Sequence, residues 1–368
     1  MKMVIFGLTV SSSWGNGHAT LWRGLIHALA RRGWTVVFFE RDVPYYAGAR
    51  DLHEIESGEL ILYPDWRDAA PIAARHLVDA DAAIVTSYCP DANAAFELMA
   101  EAARPLRIFY DLDTPVTLSL LRRGEAVPYI GPRGLRDFDL VLSYTGGGAL
   151  DELRDRLGGR LVRPLFGHAD PEAHKPTDRR EHYAADLSYI GTYAADRQDA
   201  LVELFVTPAR ARHEARFVIA GAQYPDDFPW SGNIFFVRHL PPEEHPAFYS
   251  SGRLTLNITR RAMAEMGWCP SGRLFEAAAC GIPVISDWWE GLDAFFEPGR
   301  EILVARSSAD VVAALDRDDA ELERIAKRAR ERVLDEHSSA KRAEDLQSLL
   351  DLAANRGGSE TTLEMERL

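Results

Sequence analysis

Apolar runs of strand length alternate with helix-period patterns along nearly the whole chain. That alternation predicts parallel sheets built from βαβ units. In the first half, strands are predicted at 3–8, 35–39, 60–63, 82–86, 106–110 and 139–143. Helices are predicted over His18–Arg32, Ala92–Ala103 and Ala149–Leu157. The pattern changes near residue 165, where Pro164-Leu165-Phe166-Gly167-His168-Ala169-Asp170-Pro171 and the polar stretch 175–182 resemble a linker. A second series follows, with strands at 187–190, 216–220, 233–237, 254–258, 283–286 and 302–304. The expected fold class is therefore α/β, with two Rossmann-like doubly wound domains facing across a cleft. The boundaries read as 1–167, 168–335, a carboxyl-terminal helix over 336–356 able to pack back on the first domain, and a disordered tail from 357 to 368. The long charged helical pattern from Ala320 to Ala353 breaks near His337-Ser338-Ser339.

Composition narrows the field. Lys plus Arg number 42 against 56 Asp plus Glu, a net charge of −14, and a surface this acidic repels phosphate backbones and anionic membranes. Nucleic acid is not expected as a partner, although a local arginine cluster can still hold a small diphosphate. Cys89, Cys269 and Cys280 are odd in number and lack metal-ligand spacing, which fits a reducing compartment. The opening Met-Lys-Met-Val-Ile-Phe runs straight into a strand, and no stretch of about 18 apolar residues occurs, so a cytoplasmic protein without a transmembrane segment is expected.

Residues 271–301 carry the sharpest chemical signal. Ser-Gly-Arg-Leu-Phe-Glu-Ala-Ala-Ala-Cys-Gly-Ile-Pro-Val-Ile-Ser-Asp reads as a short helix bearing one acid, Glu276, capped by Gly281 and followed at once by a buried strand. Glu276 on the first turns can accept hydrogen bonds from a ribose diol, while N–H groups at the helix start, at Ser271 and Gly272, meet a diphosphate. The alternative is an amphipathic helix with a solvated acid. Strand 187–190 runs into Gly191, Tyr193 and Arg197, and strand 254–258 into Arg260. Arginines at strand ends suit a diphosphate, against the ordinary alternative of solvated surface charges. Arg238 and His239 follow the strand that lies where such domains clamp a base.

At the other end, Ser-Ser-Ser-Trp14-Gly15-Asn-Gly17-His18 links strand one to a helix. It lacks the third glycine of the dinucleotide fingerprint, because Thr20 stands there. His18 is a candidate general base, and Trp14, Gly15 and Gly17 are candidates for acceptor contact. A structural histidine is the alternative. Past strand 106–110, Asp111 and Asp113 can orient His18, replace it as base or hold acceptor hydroxyls; for Asp113 a plain helix N-cap is the alternative. Thr145 and Gly146 form a third loop at the same edge, either against substrate or as a tight turn.

With these residues in view, the chain resembles GT-B fold glycosyltransferases, in particular the spore-maturation-type (CgeB-like) group. The stretches that carry the likeness are Tyr110–Pro115, Asp186–Arg197, Leu256–Arg260 and Ser271–Asp287. The resemblance implies a nucleotide-sugar donor held through Glu276, an unidentified hydroxyl acceptor, His18 as base, and neither cofactor nor metal. Many retaining relatives carry a second Glu eight positions before the ribose-binding one; here Trp268 stands there, and the nearest earlier acid is Glu265. That departure counts against the retaining group and leaves the stereochemistry open, with an inverting transfer as the first expectation. The alternatives are a nucleotide-sugar epimerase of the same fold and a two-domain small-ligand binding protein.

Overall fold

A computed structural model describes residues 1–14 and 17–356, with the backbone of the last helix followed to Met365. Where a disordered tail was expected from Gly357, the backbone continues as helix to Met365; residues 366–368 and the candidate Gly15 lie outside the described residues. The chain forms two compact units, Met1–Phe166 with Ser339–Leu368, and Gly167–Ser338.

The first unit holds seven parallel strands: β1 Lys2–Gly7, β2 Thr35–Arg41, β3 Gly58–Tyr63, β4 Ala82–Thr86, β5 Leu106–Asp111, β6 Leu140–Ser143 and β7 Val162–Pro164. Their order is β3-β2-β1-β4-β5-β6-β7. The strand order reverses between β1 and β4, so the carboxyl ends around that point form the natural ligand crevice. The strands are apolar on both faces because helices cover both. The last helix, Ser339–Met365, belongs to this core: Ala343, Leu346, Leu350 and Ala353 cluster with Trp22, Leu25 and Leu29 of the His18–Arg31 helix. Burying a leucine side chain there contributes roughly 1.5–3 kcal/mol. The Trp34 indole N–H also donates to Gln347 at 3.0 Å.

The second unit holds six parallel strands: β8 Ala185–Ile190, β9 Phe217–Gly221, β10 Ile234–Arg238, β11 Gly252–Asn257, β12 Val284–Ser286 and β13 Leu303–Val304. Their order is β10-β9-β8-β11-β12-β13, with the reversal between β8 and β11. Tyr189, Phe205, Phe217, Leu254 and Leu256 sit in its core. The Asp319–Glu336 helix is opened by Asp318, whose carboxylate accepts from the Glu321 N–H at 2.8 Å. It stops at His337, and the next helix starts at Ser339.

The doubly wound α/β fold expected for both halves is borne out. Elements not anticipated include β7, the Trp66–Val78 helix with Pro71 inside it, the Thr114–Arg122 helix and several short helices of the second unit, such as His245–Ser251 and Ser308–Leu315. β7 is three residues long and ends in proline, which reads as linker by pattern alone.

Candidate active site

In the second unit, several candidate side chains gather where the sheet order reverses. β8 leads into Gly191, where a Cβ would come within 2.6 Å of the Tyr189 hydroxyl oxygen and force that buried ring to shift. The Tyr224 hydroxyl donates to the Gly191 carbonyl at 3.0 Å, fixing the start of the loop. Tyr193 packs edge-on to Tyr224, which in turn meets Phe228, Trp230 and Phe236. The loop then turns through Ala195–Arg197.

Arg197 is 7% exposed. Its guanidinium donates to the Thr192 carbonyl, and no described carboxylate pairs with it. Burial, reinforced by the nearby Arg273 and Arg260 charges, holds its pKa below the usual arginine value. A buried cation without an anion is costly, and such a site gains strongly from an anionic ligand. Arg273, the second residue of the Gly272–Ala279 helix, is half-buried and likewise has no described partner. Ser271 occupies the N-cap of that helix, but its side chain makes no cap hydrogen bond, so the first backbone N–H groups stay available. Arg260 is more exposed, and its Nε pairs with Asp196 at 3.2 Å. The floor is tied together by Asp287, whose Oδ1 accepts from the Thr259 N–H at 3.0 Å and its hydroxyl at 2.9 Å.

One turn along the same helix, Glu276 is half-buried, and no described residue pairs or hydrogen-bonds with it. Gly281 ends the helix region at φ +78°, a conformation that suits glycine. Arg238 and His239 stand exposed at the end of the edge strand β10, away from the strands that carry the arginines. His239 holds φ +51°, and its N–H donates to the Gly221 carbonyl at 2.8 Å. Eight positions before Glu276, Trp268 takes φ +49° with its ring against Gly291, where a Cβ would meet it at 2.6 Å. Glu265 is exposed.

In the first unit, the loop after β1 is organised by Glu40 at the end of β2. This fully buried carboxylate accepts from the Thr9 hydroxyl (2.9 Å), the N–H groups of Val10 (2.7 Å) and Ser11 (2.9 Å), and the Ser11 hydroxyl (2.6 Å). In dinucleotide-binding Rossmann units an acid near this point binds ribose. Here both oxygens are engaged by the loop itself. Ser13 is held by Asp51, and the Trp14 N–H donates to the Ser12 hydroxyl at 3.3 Å. Gly17 is the N-cap and His18 the first residue of the His18–Arg31 helix.

His18 Nε2 lies 3.0 Å from Asp113 Oδ2, and the Ser87 hydroxyl donates to the same oxygen at 3.0 Å. Asp113 stands at the N-cap of Thr114–Arg122 but makes no side-chain cap hydrogen bond. Its carboxylate faces the histidine instead. Asp111 stands behind: its Oδ1 accepts the Asp113 N–H at 3.0 Å, and Oδ2 is buried without a partner. Burial pushes the Asp111 carboxyl up to about 7, with the Asp113 charge adding to the effect. Thr145 and Gly146 are buried in a turn fixed by Ser143, whose hydroxyl donates to the Thr145 carbonyl at 2.7 Å. Thus His18, Asp113 and Asp111 come together, and Thr145 shapes the adjoining turn.

Asp111 gives a pH prediction. A carboxyl whose folded pKa lies above its unfolded value of about 3.9 binds an extra proton when folded. Its contribution to stability is full below about pH 4 and is lost as pH rises towards 7, by at most about 1.4 kcal/mol per pH unit. Asp111→Asn removes that loss. Melting curves should show the variant gaining relative to wild type by a few kcal/mol between pH 5 and pH 8; an unchanged difference would mean that Asp111 is ionised throughout.

Sequence reasoning missed Arg273, Asp287 and Glu40. The signal for Arg273 lay in Ser-Gly-Arg at the helix start, read only for its backbone.

Residues 197–348 match the family model described as glycosyl transferase-like. No curated protein matches the sequence. Among solved structures, sucrose-phosphate synthase from Thermosynechococcus elongatus is 15% identical with a TM-score of 0.66, covering 96% of this chain and 99% of its own. Anabaena HepE in complex with UDP and glucose is 14% identical, with a TM-score of 0.62 and coverage of 95% and 99%. An alpha-glucosyltransferase in complex with UDP-glucose and DNA containing an abasic site is 12% identical, with a TM-score of 0.66 and coverage of 95% and 99%. The chain thus has the two-domain fold of these solved structures, and residues 197–348 are similar to the glycosyl transferase-like family. No described helix is long and apolar enough to cross a membrane.

Proposed function

We propose that the chain transfers a sugar from a nucleoside-diphosphate donor to a hydroxyl acceptor, inverting the anomeric carbon and using no metal in the transfer. The observation that carries this reading is Arg197, a buried guanidinium without a carboxylate, beside the unpartnered Arg273 and the uncapped start of the Gly272–Ala279 helix. Those groups take the diphosphate, Glu276 accepts the ribose hydroxyls, and Tyr193 and its aromatic neighbours back the loop that holds the nucleotide. Arg238 and His239 remain our candidates for contact with the base. In the first unit, Asp113 lies 3.0 Å from His18 Nε2 and orients the imidazole that takes the acceptor's proton. The acceptor oxygen bonds to the anomeric carbon as the bond from that carbon to the phosphate oxygen breaks. The leaving diphosphate keeps its charge against the arginines and helix N–H groups. Trp268 at the place of the second acid supports inversion.

Because HepE and the alpha-glucosyltransferase carry UDP or UDP-glucose, a uridine-diphosphate sugar is the first donor to try. Within the superfamily we assign the chain to the spore-maturation-type group, on the four stretches that resemble it. A cytoplasmic location fits three free, buried cysteines.

Glu276→Gln tests the donor half. Losing a charged acceptor should weaken UDP binding by roughly 1.5–3 kcal/mol, at least about tenfold in calorimetry, with the melting temperature held. Unchanged affinity would remove Glu276 from the site. Donor consumed at full rate without any acceptor would replace transfer by epimerisation.

A further inference from the structure

Beside Glu276 stand two histidines that the transfer does not use. His174 lies in the turn before β8, and His245 is the first residue of the His245–Ser251 helix. One ligand atom from each of His174, His245 and Glu276 falls within 4.8 Å of the others. Nδ1 of each histidine is buried without a hydrogen-bond partner, and the Glu276 carboxylate has no described partner. Three ligand groups from three separate segments thus converge around one point, and the His245 ring also has a hydrogen bond with the Leu240 backbone.

We infer that His174, His245 and Glu276 bind a divalent transition metal, Zn²⁺ being the natural occupant, and that the metal inhibits by competing with the donor for Glu276. Two imidazoles and one carboxylate select zinc and its neighbours over magnesium, which prefers an all-oxygen shell. Zn²⁺ holds such ligands at about 2.0–2.1 Å, which sets pairs of donor atoms roughly 3.3–4.2 Å apart. Side-chain rotation about χ1 and χ2 closes the remaining gap. Two histidines and a glutamate leave a fourth position open to water. The ion holds Glu276 away from the ribose diol. The metal site stands on its own; the competition rests on the reading of Glu276 as the ribose acceptor.

The test uses the full chain after EDTA treatment and dialysis. Equilibrium dialysis should find one Zn²⁺ per wild-type chain, and Co²⁺ should give the visible bands of a low-coordinate site. Zn²⁺ should raise the melting temperature. His174→Ala, His245→Ala and Glu276→Gln should each weaken Zn²⁺ binding by roughly 100-fold, since even outer-shell partners carry about 10–100-fold. His174→Asn and His245→Asn serve where alanine fails to fold, and should abolish the zinc-induced thermal shift. Equal Zn²⁺ affinity in wild type and all variants overturns the site. UDP should displace the bound ion. Zn²⁺ bound as expected but indifferent to UDP upholds the metal site, overturns the competition and removes Glu276 from the ribose.

Discussion

Arg197→Met is expected to keep the fold and lose the donor. The guanidinium is 7% exposed, and within the described protein it is compensated only by the Thr192 carbonyl. A buried charge of this kind costs folding free energy, and an apolar side chain of similar volume often restores it. The melting temperature of the variant should therefore be unchanged or higher. Binding moves the other way. Arginine meets a phosphate through charge-assisted hydrogen bonds, and losing two of them should cost roughly 3 kcal/mol or more, about 100-fold in UDP affinity. UMP should lose less than UDP, because the effect lies at the second phosphate. Calorimetry with both ligands, beside melting curves, decides the matter: a large fall in melting temperature with UDP affinity intact would make Arg197 a structural residue. Arg260→Ala should have the smaller effect, because Asp196 already holds part of its charge and solvent screens the rest.

The architecture was readable from pattern because parallel strands buried on both faces are continuous apolar runs, and nearly every run became a strand. β7 failed that test, being short and proline-ended. The Thr114–Arg122 helix was hidden behind Pro115, which reads as a turn and serves as a first-turn helix residue. Candidate site residues could be picked where chemistry and position coincide: Glu276, Arg197 and His18 lie past strand ends or on the first turns of helices. Two kinds were not. Arg273 needs knowledge of which side chains lack partners, and that emerges only once every other arginine nearby is placed. Glu40 needs the fold of the preceding loop, because its partners lie about 30 residues away in sequence. The roles of Asp111 and Asp113 could not be separated by spacing. A two-residue offset at the start of a helix turns one carboxylate towards His18 and the other into the interior. The same limit hid the convergence of His174 and His245 on Glu276, since three segments meet there that no sequence pattern connects.

His18→Ala should lower turnover by on the order of 10²–10⁴, the usual size of general-base catalysis, while leaving UDP affinity near wild type. The binding should be spared because every group assigned to the diphosphate belongs to the other unit. Asp113→Asn keeps the shape of the side chain but removes the charge that steadies an imidazolium. Its loss should fall mainly in kcat, and UDP affinity should again hold. Ser87→Ala should follow in weaker form, because the Ser87 hydroxyl only fixes the orientation of Asp113. A graded series of this order, with donor affinity constant throughout, is what a base and its supporting groups produce; a packing role would instead lower stability and affinity together. The stereochemistry of the product supplies the independent check. Attack by an oxygen deprotonated at His18, on the face opposite the leaving diphosphate, inverts the anomeric carbon. Product NMR showing the donor's own configuration, or full turnover in His18→Ala, would move the base away from the start of this helix.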